Sequence, residues 1–241
     1  MGRGVVSRLR SLMPNMGRVP AIDLSRAERA GICDLLEEVG PDEPTLCEGW
    51  TTRDLAAHLV VRESRPDTAL GILGGPLASW TEKVQNDAAS QPYDKLVTLV
   101  RNGPPIWSYF RLPWVDGQLN TIEYYVHHED VRRGRDNWTV RDLDPELSGF
   151  LWDRLRLAGR GWFAGIPGGV TLVRTDGAPD DTWTKGGEPM VTVTGTAGEL
   201  MMTAFGRSAA DVEIEGDPQA VAEFRATRLH VDEDDLIPDE Q

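Results

Sequence analysis

Apolar residues recur at helical spacing up to about residue 165 and then change to short alternating runs, so the pattern divides the chain into two parts. In the first part, Ile32, Leu35 and Leu36 form a stripe that predicts a helix from Ser25 to Glu38, with Ser25 as N-cap and Gly40 just past its end. A Pro-, Gly- and acid-rich loop follows, and the next helix opens at Thr51. Thr51-x-x-Asp54 has the form of a capping box, and Pro66 marks where this helix stops or bends. The stretch 67–90 has glycines and a proline in its middle and predicts a helix pair or an irregular connection. PYDKLVTLVRNG reads as a helix ending at Gly103, and the aromatic, proline-broken PPIWSYFRLPWVDG as a packed loop. Two further helices are expected, Asn120 to Arg133 closed by Gly134, and Pro145 to about Leu157 capped by Asp144.

Beyond residue 165, GVTLVRT and PMVTVTG read as strands, and the turn-rich segment between them suits a hairpin. TAGELMMTAFG predicts a short helix capped near Thr196. DVEIEG predicts a third strand, and DPQAVAEFRATRL a last helix with Asp217 as N-cap. The expected organisation is mainly α: a helical bundle over 20–162, then a small α+β domain over 165–230. Residues 231–241 form an acidic tail. Residues 1–19 carry four arginines and no acid, and lack the apolar run of a signal peptide. They are either a disordered basic arm or an extension ahead of a true start at Met16.

Composition narrows the function. The formal net charge of the 241-residue chain is −14, which argues against a grip on nucleic-acid phosphates or an anionic membrane surface. No run approaches the ~20 apolar residues of a membrane span. Cys33 and Cys47 have neither zinc-knuckle nor redox-pair spacing and read as reduced thiols of a cytoplasmic protein. No heptad pattern demands a coiled coil, and the oligomeric state stays open.

Four histidines are the scarce resource. His58 falls on the stripe Leu55, His58, Leu59, Arg62, which faces the interior. Glu123 and His127 stand four apart beside the apolar positions Leu119, Ile122 and Val126, so they share a face. Two histidines and a glutamate form a three-donor set for a catalytic divalent ion, Zn²⁺ or Fe²⁺, with a coordination position left open. The same pattern fits an ordinary hydrogen-bonded core histidine, and Glu-x-x-x-His alone is a short motif. Asp130 lies within reach of His127 as a supporting acceptor. His128 and Glu129 are expected to be solvated or to support the ligands, and His230 to do nothing specific. Neither cysteine lies on the two helices that carry the donors, which counts against a thiolate supplied by the protein.

The segment LCEGWTTRDLAAHLVVRE resembles the DinB-like metal-binding bundle of the mycothiol-dependent maleylpyruvate isomerase family, through Trp50, Thr51, Arg53, Asp54 and His58. The helix with Glu123, His127 and Asp130 resembles that family's second motif, and VTVTGTAGELMMTAFGR with VEIEGDPQAVAEF resembles its C-terminal domain. The resemblance spans roughly residues 22–230, and the chain looks closest to a subgroup described only as metal-binding. It implies an up-down four-helix bundle with metal ligands His58, Glu123 and His127, usually around Zn²⁺. It also implies mycothiol or a related low-molecular-weight thiol as co-substrate and a small electrophile as its target. The thiol would be transferred to the electrophile, or would add and leave again in an isomerisation. A basic residue of the C-terminal domain would hold a substrate carboxylate, with Arg207 the first candidate and Arg225 and Arg228 behind it. The other readings are a non-catalytic metal-binding or sensing protein and a hydrolase using metal hydroxide.

Overall fold

The structure, a computed structural model, describes residues 20–65 and 78–229. The basic arm, the tail and His230 lie outside them, as do residues 66–77 of the expected connection. The described chain is mostly helical, with one small sheet near its C-terminus.

Helix α1 spans Ala21–Val39, α2 Thr52–Ser64, α3 Ala78–Ala89, α4 Tyr93–Asn102 and α5 Thr121–Arg133. Helix α1 starts four residues ahead of the expected Ser25 cap. Pro20 stands at its N-cap, and Ser25 is buried, donating its hydroxyl to Asp116 at 2.8 Å. A polar side chain with a partner inside the fold is not available as a cap. Helix α4 ends at Gly103 as the sequence indicates, in a left-handed conformation with φ of 75°. The aromatic segment before α5 is not a packed loop. It forms a 3₁₀ turn at Tyr109–Arg111, a helical turn at Pro113–Val115 and a π segment at Asp116–Asn120 that runs into α5. Phe110 and Val115 are buried, whereas Ile106, Trp107 and Trp114 are exposed.

Helix α6, Pro145–Trp162, is capped by the Asp144 carboxylate on the Leu147 amide and runs past the expected end at Leu157. The sheet has four strands: β1 Gly169–Arg174, β2 Thr182–Lys185, β3 Met190–Gly195 and β4 Glu213–Gly216, in the order β2-β1-β3-β4. The expected hairpin forms differently. Strand β2 arises within the turn-rich segment and pairs antiparallel with β1, leaving β1 and β3 parallel. Helix α7, Ala197–Ala204, is capped by Thr196, and α8, Pro218–Phe224, by Asp217. Alternation puts Val170, Leu172, Val191 and Val193 on the buried face, where Leu200, Met201 and Phe224 meet them.

Two apolar cores result, and α5 serves both. Tyr124 and Val131 pack with α1, α2 and α4, while Ile122, Tyr125 and Val126 pack with α6 and the sheet. A helix buried on two sides shows little amphipathicity. The stripe Glu123, His127, Asp130 lies along the seam between the two packed faces.

Candidate metal centre

Local chemistry positions each donor. Asp54 Oδ2 accepts from the Thr51 amide at 2.9 Å and from its hydroxyl at 2.7 Å, which fixes the start of α2 one turn before His58. The preceding loop lies tightly against α5: Leu46 N–H donates to the Asp130 carbonyl at 3.1 Å, and a Cβ on Gly134 would strike the Pro44 carbonyl.

His58, Glu123 and His127 converge. One ligand atom from each lies within 4.8 Å of the others. Glu123 Oε1 is 3.3 Å from His58 Nε2 and 3.2 Å from His127 Nε2, and the two imidazole rings meet edge to face with centroids 5.2 Å apart. Arg62, one turn after His58, brings its Nε to 3.1 Å from the same Glu123 oxygen. Its Nη1 donates to Asn120 Oδ1 at 2.5 Å, and Asn120 Nδ2 donates to buried Glu63 and Asp116. On the far side, His127 Nδ1 lies 2.9 Å from Asp130 Oδ2, the partner expected from the sequence. When neutral, His127 therefore carries its proton on Nδ1 and turns its lone pair, on Nε2, toward Glu123 and His58.

The C-terminal domain reaches this helix through Arg207. Its Nε and Nη2 donate to the two Asp130 oxygens at 2.8 and 2.7 Å, and Nη1 donates to the Phe205 carbonyl at 3.0 Å. Arg228 instead donates to the Thr203 carbonyl and covers Phe163. Cys47 is the residue that sequence reasoning missed. Its Sγ is 3.2 Å from Asp130 Oδ2, 3.4 Å from Arg207 Nη2 and 4.0 Å from His127 Nδ1. It reaches the site from the loop rather than from a helix, and only its place three residues before Trp50 hinted at this. His128 and Glu129 are not solvated. His128 Nδ1 faces Glu28 and Arg141, while Glu129 is fully buried between Arg132, Arg133 and Arg141. Both cysteines are free thiols.

Electrostatics follow from these pairs. Burial pushes His58 below its ordinary value, toward the neutral form that a ligand needs. Burial opposes the charge on Glu123, but Arg62 and the two histidines outweigh it and hold the carboxyl well below the usual range. Burial likewise opposes the Asp130 charge, and Arg207 and His127 overcome it. A cavity of about 680 Å³ opens over the centre between bundle and C-terminal domain, lined by Cys47, Trp50, Glu123, His127, Phe205 and Arg207 among others. Burial opposes a charge on His127, but Asp130, Cys47 and Glu123 outweigh it and hold its pKa well above the ordinary value, so a divalent ion facing the two rings and the ionised carboxylate would have to displace that proton.

Crystal structures of similar folds are known. One is of the mycothiol-dependent maleylpyruvate isomerase, superposing with a TM-score of 0.56 at 18% identity over 81% of this chain and 91% of that one. A second, of a histidine-to-alanine mutant of that isomerase, gives 0.56 at 17% identity over the same shares. The chain has the fold of this isomerase. No family model and no curated protein matches it. Among the described residues, no helix is long and apolar enough to cross a membrane.

Proposed function

We propose that the protein is a metal-dependent enzyme that activates a low-molecular-weight thiol, mycothiol or a relative, for transfer to a small electrophile or for its isomerisation. The observation that carries this reading is the convergence of His58, Glu123 and His127 on an open cavity. These three residues would hold the ion, with Asp130 orienting His127. A divalent ion there lowers the pKa of a thiol that reaches it, so that the nucleophile is available at neutral pH.

The surrounding residues favour an anionic reactant. Glu123 faces Arg62 and Asp130 faces Arg207, so two carboxylates and two guanidiniums cancel. The double charge of the ion is then left for an anionic ligand. Trp50 and Phe205 supply apolar walls for the body of the electrophile. Arg207 would hold a substrate carboxylate by exchanging part of its grip on Asp130. In the transfer, sulfur bonds to the electrophilic carbon, the thiol proton passes to solvent and the leaving group departs. In the isomerisation, the thiolate adds to a conjugated double bond and the π electrons move onto the conjugated carbonyl oxygen; the resulting single bond rotates, and the electrons return to re-form the double bond as the C–S bond breaks and the thiolate leaves with its pair.

Elemental analysis of the purified protein tests the centre first. One equivalent of divalent metal is expected, with a clear loss in each of His58→Ala, Glu123→Ala and His127→Ala. Incubating the metal-loaded protein with mycothiol and a halogenated aromatic then tests the chemistry, and a metal-dependent conjugate is expected. Stoichiometric metal without product across a panel of thiols and electrophiles would replace this reading with a non-catalytic metal protein.

A further inference from the structure

The His127 ring has donor atoms on both of its sides. Nε2 faces Glu123 and His58, while Nδ1 faces a second set, Cys47 and Asp130. In this second set Cys47 Sγ lies 3.2 Å from Asp130 Oδ2 and 4.0 Å from His127 Nδ1, and Nδ1 lies 2.9 Å from Asp130 Oδ2. Each separation is shorter than two ligand bonds of about 2.0–2.3 Å laid end to end, so one ion can reach all three atoms. Asp130 is fully buried, and Cys47 lies half-buried on the wall of the 680 Å³ cavity, which gives an ion a way in.

The second set already holds a cation. Arg207 donates to both Asp130 oxygens and brings Nη2 to 3.4 Å from Cys47 Sγ. Its side chain also lines the cavity, so it has open space to turn into. Trading the guanidinium and the thiol proton for a divalent ion conserves charge at Cys47 and Asp130. The thiolate makes this set softer than two imidazoles and a carboxylate.

We propose that Cys47, His127 Nδ1 and Asp130 form a second metal site, for a thiophilic divalent ion of the Cd²⁺ class, and that filling it closes the candidate centre. Binding releases the thiol proton and the Nδ1 proton to solvent. The closure follows from the two ring nitrogens. An ion on Cys47 and Asp130 takes the Nδ1 lone pair. The proton of the neutral ring then sits on Nε2 and is donated to Glu123 Oε1, 3.2 Å away. An ion on His58 and Glu123 needs the Nε2 lone pair and the proton on Nδ1. One neutral imidazole cannot do both, so the two sites exclude each other. The second site stands apart from the metal reading above, and the exclusion rests on it.

The test is Cd²⁺ titration of the full chain, read by the ultraviolet sulfur-to-cadmium charge-transfer band. One Cd²⁺ per chain with the band is expected in the wild type and in His58→Ala, which vacates the first set. The band is expected to vanish in Cys47→Ser. It is expected to persist in Cys33→Ala, since Cys33 is fully buried and burial pushes its thiol up to about 12. Arg207→Met, which removes the competing cation, is expected to raise Cd²⁺ affinity about tenfold. With Co²⁺ bound first, one equivalent of Cd²⁺ is expected to abolish the visible cobalt spectrum as the sulfur band appears. Bound Cd²⁺ without the band, or a band that survives Cys47→Ser, would overturn the second site and leave the first intact. Band and cobalt spectrum present together would overturn the exclusion. If neither ion bound, the metal reading would fail as well.

Discussion

Arg133 ties α5 to the C-terminal domain, and its removal has a calculable consequence. The fully buried guanidinium donates to Glu199 of α7 at 2.6 and 2.7 Å, to Glu129 at 2.8 Å and to the Ala209 carbonyl at 2.7 Å, and it covers the Trp138 ring. Replacing it with Met keeps the apolar stem and deletes the charge. Glu129 keeps Arg132 and Arg141. Among the described residues Glu199 keeps only the Asp211 amide for its carboxylate, and it is 2% exposed. Breaking a buried pair from one side costs about 3–5 kcal/mol, a large part of the roughly 5–15 kcal/mol that holds a typical domain. Urea unfolding followed by far-UV circular dichroism measures this as a lowered midpoint. Adding Glu199→Gln removes the stranded charge and should recover part of the loss, with the double-mutant cycle giving the coupling. A loss below about 1 kcal/mol for Arg133→Met, the scale of an exposed pair, would refute the argument that this is a desolvated tie.

Three further outcomes are expected. Asp130→Asn should weaken metal binding by about 10–100-fold, since it disturbs the acceptor of His127 Nδ1 while leaving all three proposed ligands in place, and competition with a chromophoric chelator measures it. Gly134→Ala should cost about 1–3 kcal/mol of stability by overpacking against the Pro44 carbonyl, and should loosen the loop that carries Cys47 and Trp50. Burial would raise the Glu28 carboxyl, but His128 and Arg141 hold it below the ordinary 4.5. Its contribution to stability is therefore present above that pH and lost as pH falls through the lower folded value. Urea midpoints measured from neutral pH to pH 3 should fall less steeply for Glu28→Gln than for the wild type.

The local signals in the chain were sufficient for local structure. Thr51-x-x-Asp54 specified the start of α2, Gly103 the end of α4, and the alternation in Val170–Val173 and Val191–Val193 the buried face of two strands. Spacing of four residues put Glu123 and His127 on one face, and the position of His58 on its stripe turned it inward. Each of these is a relation between residues a few positions apart, set by the geometry of a helix or a strand. Ser25 was misread because a cap and a buried donor use the same side chain, and only its partner, 91 residues away, distinguishes them. The pairing of β1 with β3 in parallel was hidden because period-2 patterning states which face is buried and not which strand lies alongside.

What periodicity could not supply is what stands opposite each face. Helix α5 is buried on two sides, so its pattern does not say that its polar stripe follows the seam between two cores. Arg207 meets Asp130 across 77 positions and Cys47 across 160, from a second domain and from a loop. Such contacts have no local signature, because they exist only once the sheet, α6 and α7 have docked on α5. The sequence by itself nominated the three candidate donors. The tertiary structure decided their charge partners, the cavity over them and the thiol beside them, because burial and pairing are properties of packed surfaces and not of neighbouring residues.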